Sequence, residues 1–304
     1  MRVAILSART GWHTDELCRA LDERGHAGRV VPYEALVARL GTAGPAAPTL
    51  TADGEELVAA DAVLARIIPG GSLEQIIYRV DALHWLERRG TLVLNSPRAI
   101  ERCVDKFYTS ALLQEAGLPT PETVVCERPE EAIAAFRALG DAVVKPLFGS
   151  MGLGMVRVTD ADTAWRVFRA IEAIRGVYYL QRTIDHGGVD VRAFVVGGRV
   201  VGAIERRAAD GGWRTNISRG GAARPLALPP EWEALAVRAA GAVGADYAGV
   251  DLLPARGGPV YVLEVNGIPG WEGLQHATAL DVAGTIVDHL VARAEGRPAL
   301  GVAG

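Results

Sequence analysis

The sequence predicts a chain that begins as an α/β unit and continues as α+β units. The first observation is the order strand, helix, strand at the N-terminus, which is typical of parallel strand pairing. The second is a pair of apolar strands on either side of Gly197-Gly198, which is typical of an antiparallel hairpin. The third is the length of 304 residues, which is enough for about two or three domains.

The N-terminal unit is predicted from its strands and helices in chain order. Arg2–Ala8 and Arg29–Pro32 have the apolar content of strands, and Thr14–Arg24 between them is a predicted helix that ends at Gly25. The remaining elements expected here are a strand, a helix and a strand: Ala62–Ile68, Leu73–Arg89 and Thr91–Asn95. Asn95-Ser96-Pro97 predicts a joint, so we expect a first domain at residues 1–96.

Two further domains are expected, at residues 97–184 and 185–304. Helical spacing predicts helices at Pro97–Ala116, Asp162–Arg175, Glu231–Val243 and Val282–Ala294. Apolar runs predict strands at Ala142–Pro146, Tyr178–Gln181, Val189–Val196 and Arg199–Ala208. The last two flank Gly197-Gly198 and form the predicted hairpin.

Composition excludes several classes of protein. Hydrophobic residues make up 49% and charged residues 22%, which is typical of a globular enzyme. The net charge of −4, with no long basic run, argues against a nucleic-acid partner. Cys18, Cys103 and Cys126 are scattered, so neither a disulfide framework nor a zinc site is expected. Without a signal peptide or an apolar run of membrane-spanning length, we predict a cytoplasmic protein with no membrane partner.

The stretch VYVLEVNGIPGW places polar residues on a strand that otherwise looks like core. Because side chains on a strand alternate between its faces, Glu264 and Asn266 point the same way. The preceding strand contains Asp251. If Gly257-Gly258 form a two-residue turn, Asp251 lies directly opposite Glu264 on the same face, although longer turns would shift this register.

Two opposed carboxylates on an apolar sheet repel each other and are costly to bury. A divalent cation reverses that penalty, and oxygen ligands suit Mg²⁺ or Mn²⁺ better than zinc. The alternative interpretation is a hairpin whose polar side chains face solvent, because half-exposed antiparallel sheets are common.

A second candidate feature is AVVKPLFGSMGLG, in which a strand carrying Lys145 leads into a glycine-rich loop. Glycines allow backbone N–H groups to approach anionic oxygens closely. Lys145 and the loop could therefore hold phosphate oxygens, whereas the alternative is a simple turn. The loop residues that favour phosphate binding are Gly149, Ser150, Gly152 and Gly154.

Other basic residues are candidates as well. Lys106 follows Asp105 in a helical stretch and is either a second phosphate contact or a solvated helix lysine; it and Lys145 are the only lysines of the chain. Guanidinium groups bind carboxylates and phosphates in bidentate fashion, although a run of arginines can also be a solvated face. Four arginines gather near Asn216: Arg206, Arg207, Arg214 and Arg219. Asp190 and Arg192 share one face of their predicted strand.

Five segments, in this order and spacing, resemble the ATP-grasp superfamily and specifically the RimK-like α-L-glutamate ligases. They are DKFYTSALLQEAGLPTPETVV, VVKPLFGSMGLG, GGVDVRAFVVGGRVVGAIERRA, WRTNISRGG and YAGVDLLPARGGPVYVLEVNGIPGWEGLQ. The resemblance covers about residues 97–290. In the N-terminal region, GWHTDEL and IPGGSLEQIIYRVDALHWLE are similar to RimK-like proteins associated with tetrahydromethanopterin biosynthesis.

The resemblance implies an ATP-grasp fold, with an N-terminal Rossmann-like βαβ domain followed by two α+β lobes that clasp ATP. Leu180–Arg182 would form the hinge beside adenine, and Asp190 would lie near the ribose. This chain has Arg182-Thr183 where the family hinge usually carries an acidic and an aromatic residue. The residues that the resemblance assigns to the nucleotide are Lys106, Lys145, Gly149, Ser150, Gly152, Gly154, Gln181, Arg182, Asp190, Thr215 and Asn216.

The resemblance also implies the metal and reaction sites. Asp251, Glu264 and Asn266 match the Mg²⁺ ligands. Arg214 would line the reaction site, and Arg219 or Arg207 would grip a tetrahedral intermediate or a substrate carboxylate.

The implied activity is ATP-dependent amide formation. An acceptor carboxylate becomes an acylphosphate, and the amino group of an amino acid, glutamate in the named family, displaces phosphate. The partners would be that amino acid, a carboxylate-bearing acceptor and further copies of the chain in a homo-oligomer. The alternatives are an ATP-grasp ligase for another amino acid or an amino-group carrier, and a non-catalytic ATP-binding regulatory protein.

Overall fold

The computed structural model of the protein describes residues 1–41, 48–149, 152–208, 215 and 222–296. Within these ranges, the strands form three larger sheets in chain order and one small sheet inserted in the first of them. The order of strands and helices in the sequence predicted a mixed fold. The observed elements form a mixed α/β fold.

The first sheet is a parallel sheet in the N-terminal region. The strands of residues 1–96 are β1 (Arg2–Ser7), β2 (Ala27–Pro32), β3 (Leu36–Arg39), β4 (Thr49–Ala52), β5 (Glu55–Glu56), β6 (Ala62–Ala65) and β7 (Leu92–Leu94). The helices are α1 (Trp12–Asp22) and α2 (Leu73–Arg88), with a 3₁₀ turn at Tyr33–Ala35. The parallel sheet has the order β2-β1-β6-β7, so the predicted βαβ start is confirmed.

Two details of this region differ from expectation. Helix α1 begins before Thr14, because the Thr14 hydroxyl accepts a hydrogen bond from the Gly11 backbone N–H (2.8 Å) and fixes the start of the first turn. The small antiparallel sheet β3-β4-β5 was not predicted. Its strands are short, and one of them has only two residues, so their periodicity is weak.

The second sheet lies in the central region and is antiparallel. The helices of this part are α3 (Pro97–Val104), α4 (Lys106–Glu115), α5 (Pro129–Leu139) and α6 (Ala161–Ala173). The strands are β8 (Thr123–Cys126), β9 (Ala142–Lys145), β10 (Val156–Val158) and β11 (Tyr178–Arg182), in the order β10-β9-β11-β8. Strand β9 is thus an inner strand and ends at Lys145.

The single helix predicted at Pro97–Ala116 is wrong, because the chain forms two helices there. Asp105 leaves the helical conformation, and its carboxylate accepts a hydrogen bond from the Tyr108 backbone N–H at 3.0 Å. Asp105 therefore caps the N-terminus of α4. As a result, Lys106 is the first residue of a new helix rather than a residue in the middle of a long one.

The third large sheet has five antiparallel strands and lies in the C-terminal region. The strands are β12 (Val189–Val196), β13 (Arg199–Arg207), β14 (Ala222–Pro225), β15 (Tyr247–Pro254) and β16 (Val260–Asn266), in the order β14-β13-β12-β15-β16. The helices are α7 (Pro230–Val243), α8 (Glu272–Thr278) and α9 (Val282–Ala294). Val196 pairs with Arg199, so the predicted hairpin at Gly197-Gly198 is confirmed.

The β15–β16 hairpin has the predicted pairing but not the predicted turn. Ala255 donates its N–H to the Pro259 carbonyl (3.1 Å), so three residues rather than two form the turn. This shift alone would move Asp251 out of register with Glu264. A β-bulge next to Asp251 adds one residue to β16 and restores the pairing.

Apolar packing fixes the position of this sheet. One face of it packs on α7 through residues such as Val191, Val250 and Val265. At the other face, Phe194 and Trp271 belong to a buried cluster that also contains residues of β1, α1 and α9. The N-terminal and C-terminal sheets therefore share one apolar core. In the part of the chain described, no helix has the length and apolar character needed to cross a bilayer.

The glycine pair of the β12–β13 hairpin leads to a stability prediction. Both glycines have positive φ, 57° at Gly197 and 79° at Gly198. A methyl group added at Gly197 would lie 2.8 Å from the buried His289 ring, whereas one added at Gly198 would enter open space. We expect Gly198→Ala to lower the free energy of unfolding by about 1 kcal/mol through backbone strain. Gly197→Ala should cost about 1–3 kcal/mol more, because overpacking is added to the strain. Urea titration of both variants checks this, and equal losses would contradict it.

Candidate active site

A chain of buried charges lies on the face of the C-terminal sheet opposite α7. Arg192 of β12 donates from Nε and Nη2 to the two oxygens of Asp251 at 2.7 and 2.8 Å. Arg206 of β13 donates to both oxygens of Asp190 at 2.7 Å and also approaches Asp251 to 2.9 Å. The two bidentate pairs are joined by Arg206, so the four side chains form one network.

Thr215 closes this network at the Asp190 end. It is buried, and its hydroxyl donates to Asp190 Oδ2 at 2.5 Å. Both oxygens of Asp190 are thus bound within the protein. The predicted contacts of Asp190 with a ribose and of Thr215 with phosphate stay predictions.

The network fixes the ionisation of Asp251. Burial acts to raise the pKa of this carboxyl group, but the charges and hydrogen bonds of Arg192 and Arg206 outweigh burial and hold its pKa well below the usual range. Asp251 is therefore a carboxylate at neutral pH although it is buried.

Asp251, Glu264 and Asn266 lie on the two neighbouring strands as predicted. Asp251 is directly opposite Glu264, and Asn266 follows two residues later opposite Gly249. Glu264 forms no ion pair within 4 Å among the described residues. Asn266 Oδ1 accepts a hydrogen bond from the Ile268 N–H at 2.9 Å, which fixes the direction of the amide.

The donor chemistry of these three side chains fits Mg²⁺ or Mn²⁺. All of them offer oxygen. Asp251 and Asn266 already accept hydrogen bonds, so each would bind a metal through a remaining lone pair, whereas Glu264 has no ion pair among the described residues. Within the described ranges, no three His, Cys, Asp or Glu side chains come together as a metal cluster. The third ligand of the candidate site is an amide, which lies outside that set.

Lys145 is held at the end of β9 by a buried polar group. Its Nζ donates to Gln181 Oε1 at 2.6 Å, and Gln181 donates in turn to Thr123 Oγ1 and to Tyr179 OH. Lys145 is only 8% exposed. Burial lowers the pKa of its ammonium group to about 8, with the positive charge of Lys106 acting in the same direction.

Lys106 contacts the glycine-rich loop. From the first turn of α4, its Nζ donates to the carbonyl oxygens of Gly149 (2.7 Å) and Leu147 (3.3 Å). Gly152 and Gly154 have positive φ, 67° and 73°, so the loop uses backbone conformations that favour glycine. Lys106 is thus bound to carbonyl oxygens at the position where the sequence predicts phosphate contacts.

The charge of Glu264 links the two sheets. It acts to raise the pKa of Lys145 and of Lys106, against the larger effect of burial on each. A carboxylate of the C-terminal sheet is therefore near enough to both lysines of the central region to act on their charge. The site brings together one oxygen-rich face and two amines.

Several predicted residues lie elsewhere or cannot be placed. The Arg207 side chain is 56% exposed and pairs with Glu205, because alternation along β13 directs it away from the face that carries Arg206. The Arg182 side chain pairs with Glu122, and its predicted place beside adenine stays a prediction. Leu180 is buried in the central core. Four predicted site residues lie outside the described residues: Ser150, Arg214, Asn216 and Arg219.

Sequence reasoning missed the central role of Arg206. It noted Arg206 only as one member of an arginine cluster and selected Arg207 for the reaction. The sequence alone did not favour Arg206, because counting back from the Gly197-Gly198 turn puts Asp190 opposite Glu205 and on one face with Arg207. A bulge beside Phe194 shifts the register by one residue, so that Arg206 rather than Glu205 lies opposite Asp190.

Family comparisons cover nearly the whole chain. The family described as the RimK-like ATP-grasp domain matches residues 103–290, and the RimK PreATP-grasp domain matches residues 1–100. A tetrahydromethanopterin:alpha-L-glutamate ligase of Methanosarcina acetivorans is 34% identical, with 92% of this chain and 95% of that protein covered. A probable alpha-L-glutamate ligase of Teredinibacter turnerae is 37% identical, with 95% of each covered.

Solved structures agree in fold. A RimK domain ATP-grasp protein from Sphaerobacter thermophilus has 25% identity and a TM-score of 0.73, with 95% of this chain and 98% of that chain covered. The ATP-grasp ligase PsnB, complexed with a minimal precursor, has 24% identity and a TM-score of 0.75, with 96% and 98% covered. The chain therefore belongs to the RimK-like family of ATP-grasp ligases, and it is an ADP-forming carbon–nitrogen ligase.

Proposed function

We propose that this ligase uses Mg²⁺ and ATP to join L-glutamate, through an amide bond, to an acceptor that carries a carboxylate. The observation that supports it most is the pairing of Asp251 with Glu264 on neighbouring strands, with the Glu264 charge acting on both Lys106 and Lys145. Phosphoryl transfer requires a carboxylate that shares a metal ion with the phosphate oxygens. It also requires positive groups, here two amines, that neutralise those oxygens.

The metal ligands proposed are Asp251, Glu264 and Asn266. Arg192 and Arg206 would keep Asp251 ionised and pointed across the sheet. When bound, Mg²⁺-ATP supplies the phosphoryl group that converts the acceptor carboxylate to an acylphosphate. The amine of the amino acid then attacks the acyl carbon, phosphate leaves, and the nitrogen loses its proton.

The nucleotide side of the proposal uses Lys106, Lys145 and the glycine loop. Phosphate oxygens would replace the carbonyls that Lys106 contacts. Gln181 would act by holding Lys145 rather than by binding adenine through its side chain, because the amide is already bound to Lys145, Thr123 and Tyr179. Arg214 and Arg219 keep their proposed roles at the reaction site, whereas Arg207 pairs with Glu205 on the other face of β13 and is not proposed for it.

Glutamate is proposed because the relatives that cover this chain almost completely are named for it. The acceptor is proposed by chemistry alone, as a molecule with a free carboxylate. The test is a phosphate-release screen with ATP, glutamate and a panel of carboxylate acceptors, followed by product mass measurement. We expect release that requires both substrates and a product heavier by one glutamyl residue per bond. Release with another amino acid and none with glutamate would contradict the proposal.

We predict that Glu264→Gln lowers turnover at least about 100-fold, because the neutral amide removes the charge that a shared metal requires. The protein should stay folded, since Glu264 forms no ion pair among the described residues. Phosphate release at saturating ATP measures the effect. The matched control is Glu172→Gln, which removes a carboxylate from an exposed pair with Arg169 on α6. Equal activity of the two variants would contradict the metal assignment.

The lowered pKa of Lys145 predicts a pH dependence of nucleotide binding. Phosphate binds the protonated amine, so affinity is present below the pKa of about 8 and is lost as pH rises through it. One unit above that pKa, ADP affinity should have fallen roughly ten-fold. Lys145→Arg should bind ADP with little change over the same range, because guanidinium stays charged. Calorimetric titration with ADP in both proteins checks this, and identical profiles would contradict it.

A further inference from the structure

The segment that follows Asn266 is tied to the N-terminal region at every second residue. Gly267 O accepts a hydrogen bond from Asn95 Nδ2 (2.6 Å), and Pro269 O accepts one from Arg66 Nη2 (3.0 Å). The Trp271 N–H donates to His13 Nε2 at 3.1 Å. Three side chains from the first 96 residues thus hold the backbone that leaves the candidate metal site.

Asn95 joins both strands that carry the candidate ligands. It is fully buried. Its Nδ2 also donates to the Tyr247 carbonyl at 2.7 Å, and its Oδ1 accepts from the N–H groups of Asp246 (2.7 Å) and Tyr247 (3.1 Å). One amide therefore links the start of β15, the strand of Asp251, to the residue after Asn266.

Arg66 is a buried cation without an acidic partner among the described residues. It is 2% exposed. Its guanidinium lies over the Trp271 ring, 4.7 Å from the centroid, and its other contact is the Tyr247 hydroxyl at 3.4 Å. Burying a guanidinium on neutral acceptors is costly.

His13 serves as an acceptor and must be neutral at Nε2 to do so. Burial, together with the positive charge of Arg66, lowers its pKa to about 4. The hydrogen bond from Trp271 is therefore maintained at neutral pH, where an unperturbed histidine would begin to be protonated.

We propose that Asn95, Arg66 and His13 are positioning residues for the metal site, so that the N-terminal region determines where Asn266 places its oxygen. The proposal rests on the function proposed above. Asn266 Oδ1 is oriented by the Ile268 N–H, and Ile268 lies between two of the tied residues, Gly267 and Pro269. A shift of this segment would turn the amide and weaken metal binding. Residues that orient a metal ligand typically affect affinity ten- to a hundred-fold.

The alternative is that these contacts only hold the sheets together. In that case their loss would lower stability and leave the metal dependence of the folded enzyme unchanged. The distinguishing measurement is the Mg²⁺ concentration that gives half-maximal phosphate release, compared with ADP affinity in the presence of EDTA. Only a positioning role moves the first without the second.

The principal variant is Arg66→Met, which keeps the length of the side chain and removes its donors. Its matched control is Arg79→Met. Arg79 is another buried arginine of the same region that donates to backbone carbonyls, those of Pro69 and Gly70, and it does not contact the segment after Asn266. We expect Arg66→Met to raise the half-saturating Mg²⁺ concentration about ten-fold with metal-free ADP affinity unchanged. Arg79→Met should change neither.

Two further variants keep the proposal testable if Arg66→Met does not fold. His13→Phe retains a ring and removes the acceptor for the Trp271 N–H, and Arg66→Lys retains the charge and one donor group. We expect a raised Mg²⁺ requirement in His13→Phe and partial recovery in Arg66→Lys. Wild-type Mg²⁺ dependence in the folded Arg66 and His13 variants would overturn the proposal. If Glu264→Gln also keeps wild-type Mg²⁺ dependence, the metal assignment itself has failed.

Discussion

The structure depends on keeping a buried carboxylate, that of Asp251, ionised on one face of an otherwise apolar sheet. Asp251 is buried, and burial alone would favour its protonated form. Arg192 and Arg206 reverse this preference by binding both of its oxygens. Because each arginine comes from a different strand of the same antiparallel sheet, the network requires the register of β12, β13 and β15 to be correct. A slip of any one of these strands by one residue would move its own members of the network to the face covered by α7.

The two lysines complete the electrostatic arrangement from the other side of the site. Lys145 is destabilised as a cation by its burial, and Glu264 partly offsets that cost. Anionic phosphate would offset it further, so part of the nucleotide affinity would come from relief of this burial cost. The N-terminal region contributes through hydrogen bonds rather than charge. Asn95 and Arg66 hold the backbone next to Asn266, and this contact connects the N-terminal region with the candidate metal ligands.

The sequence predicted well the features that depend on local residue patterns, such as the face of a strand. It did not predict the features that depend on contacts between residues distant in the chain. Alternation placed Glu264 and Asn266 on one face. The pairing of Asp251 with Glu264 is confirmed although the turn was wrong, because a three-residue turn and a bulge compensate for each other. The break at Asp105 was missed because an N-cap within apolar helical spacing leaves the periodicity intact. The contacts of Asn95 with Gly267 could not be predicted, since nothing local links positions so far apart. The three-domain division, the cytoplasmic location and the homo-oligomer stay predictions.

The most direct test is a crystal structure with ADP and Mn²⁺ in place of Mg²⁺, with the metal located by its anomalous scattering. The account predicts a peak bound by oxygens of Asp251, Glu264 and Asn266, at coordination distances of about 2 Å, and shared with a phosphate oxygen near Lys145. A metal bound to nucleotide alone, or to other side chains while these three turn away from it, would contradict the account.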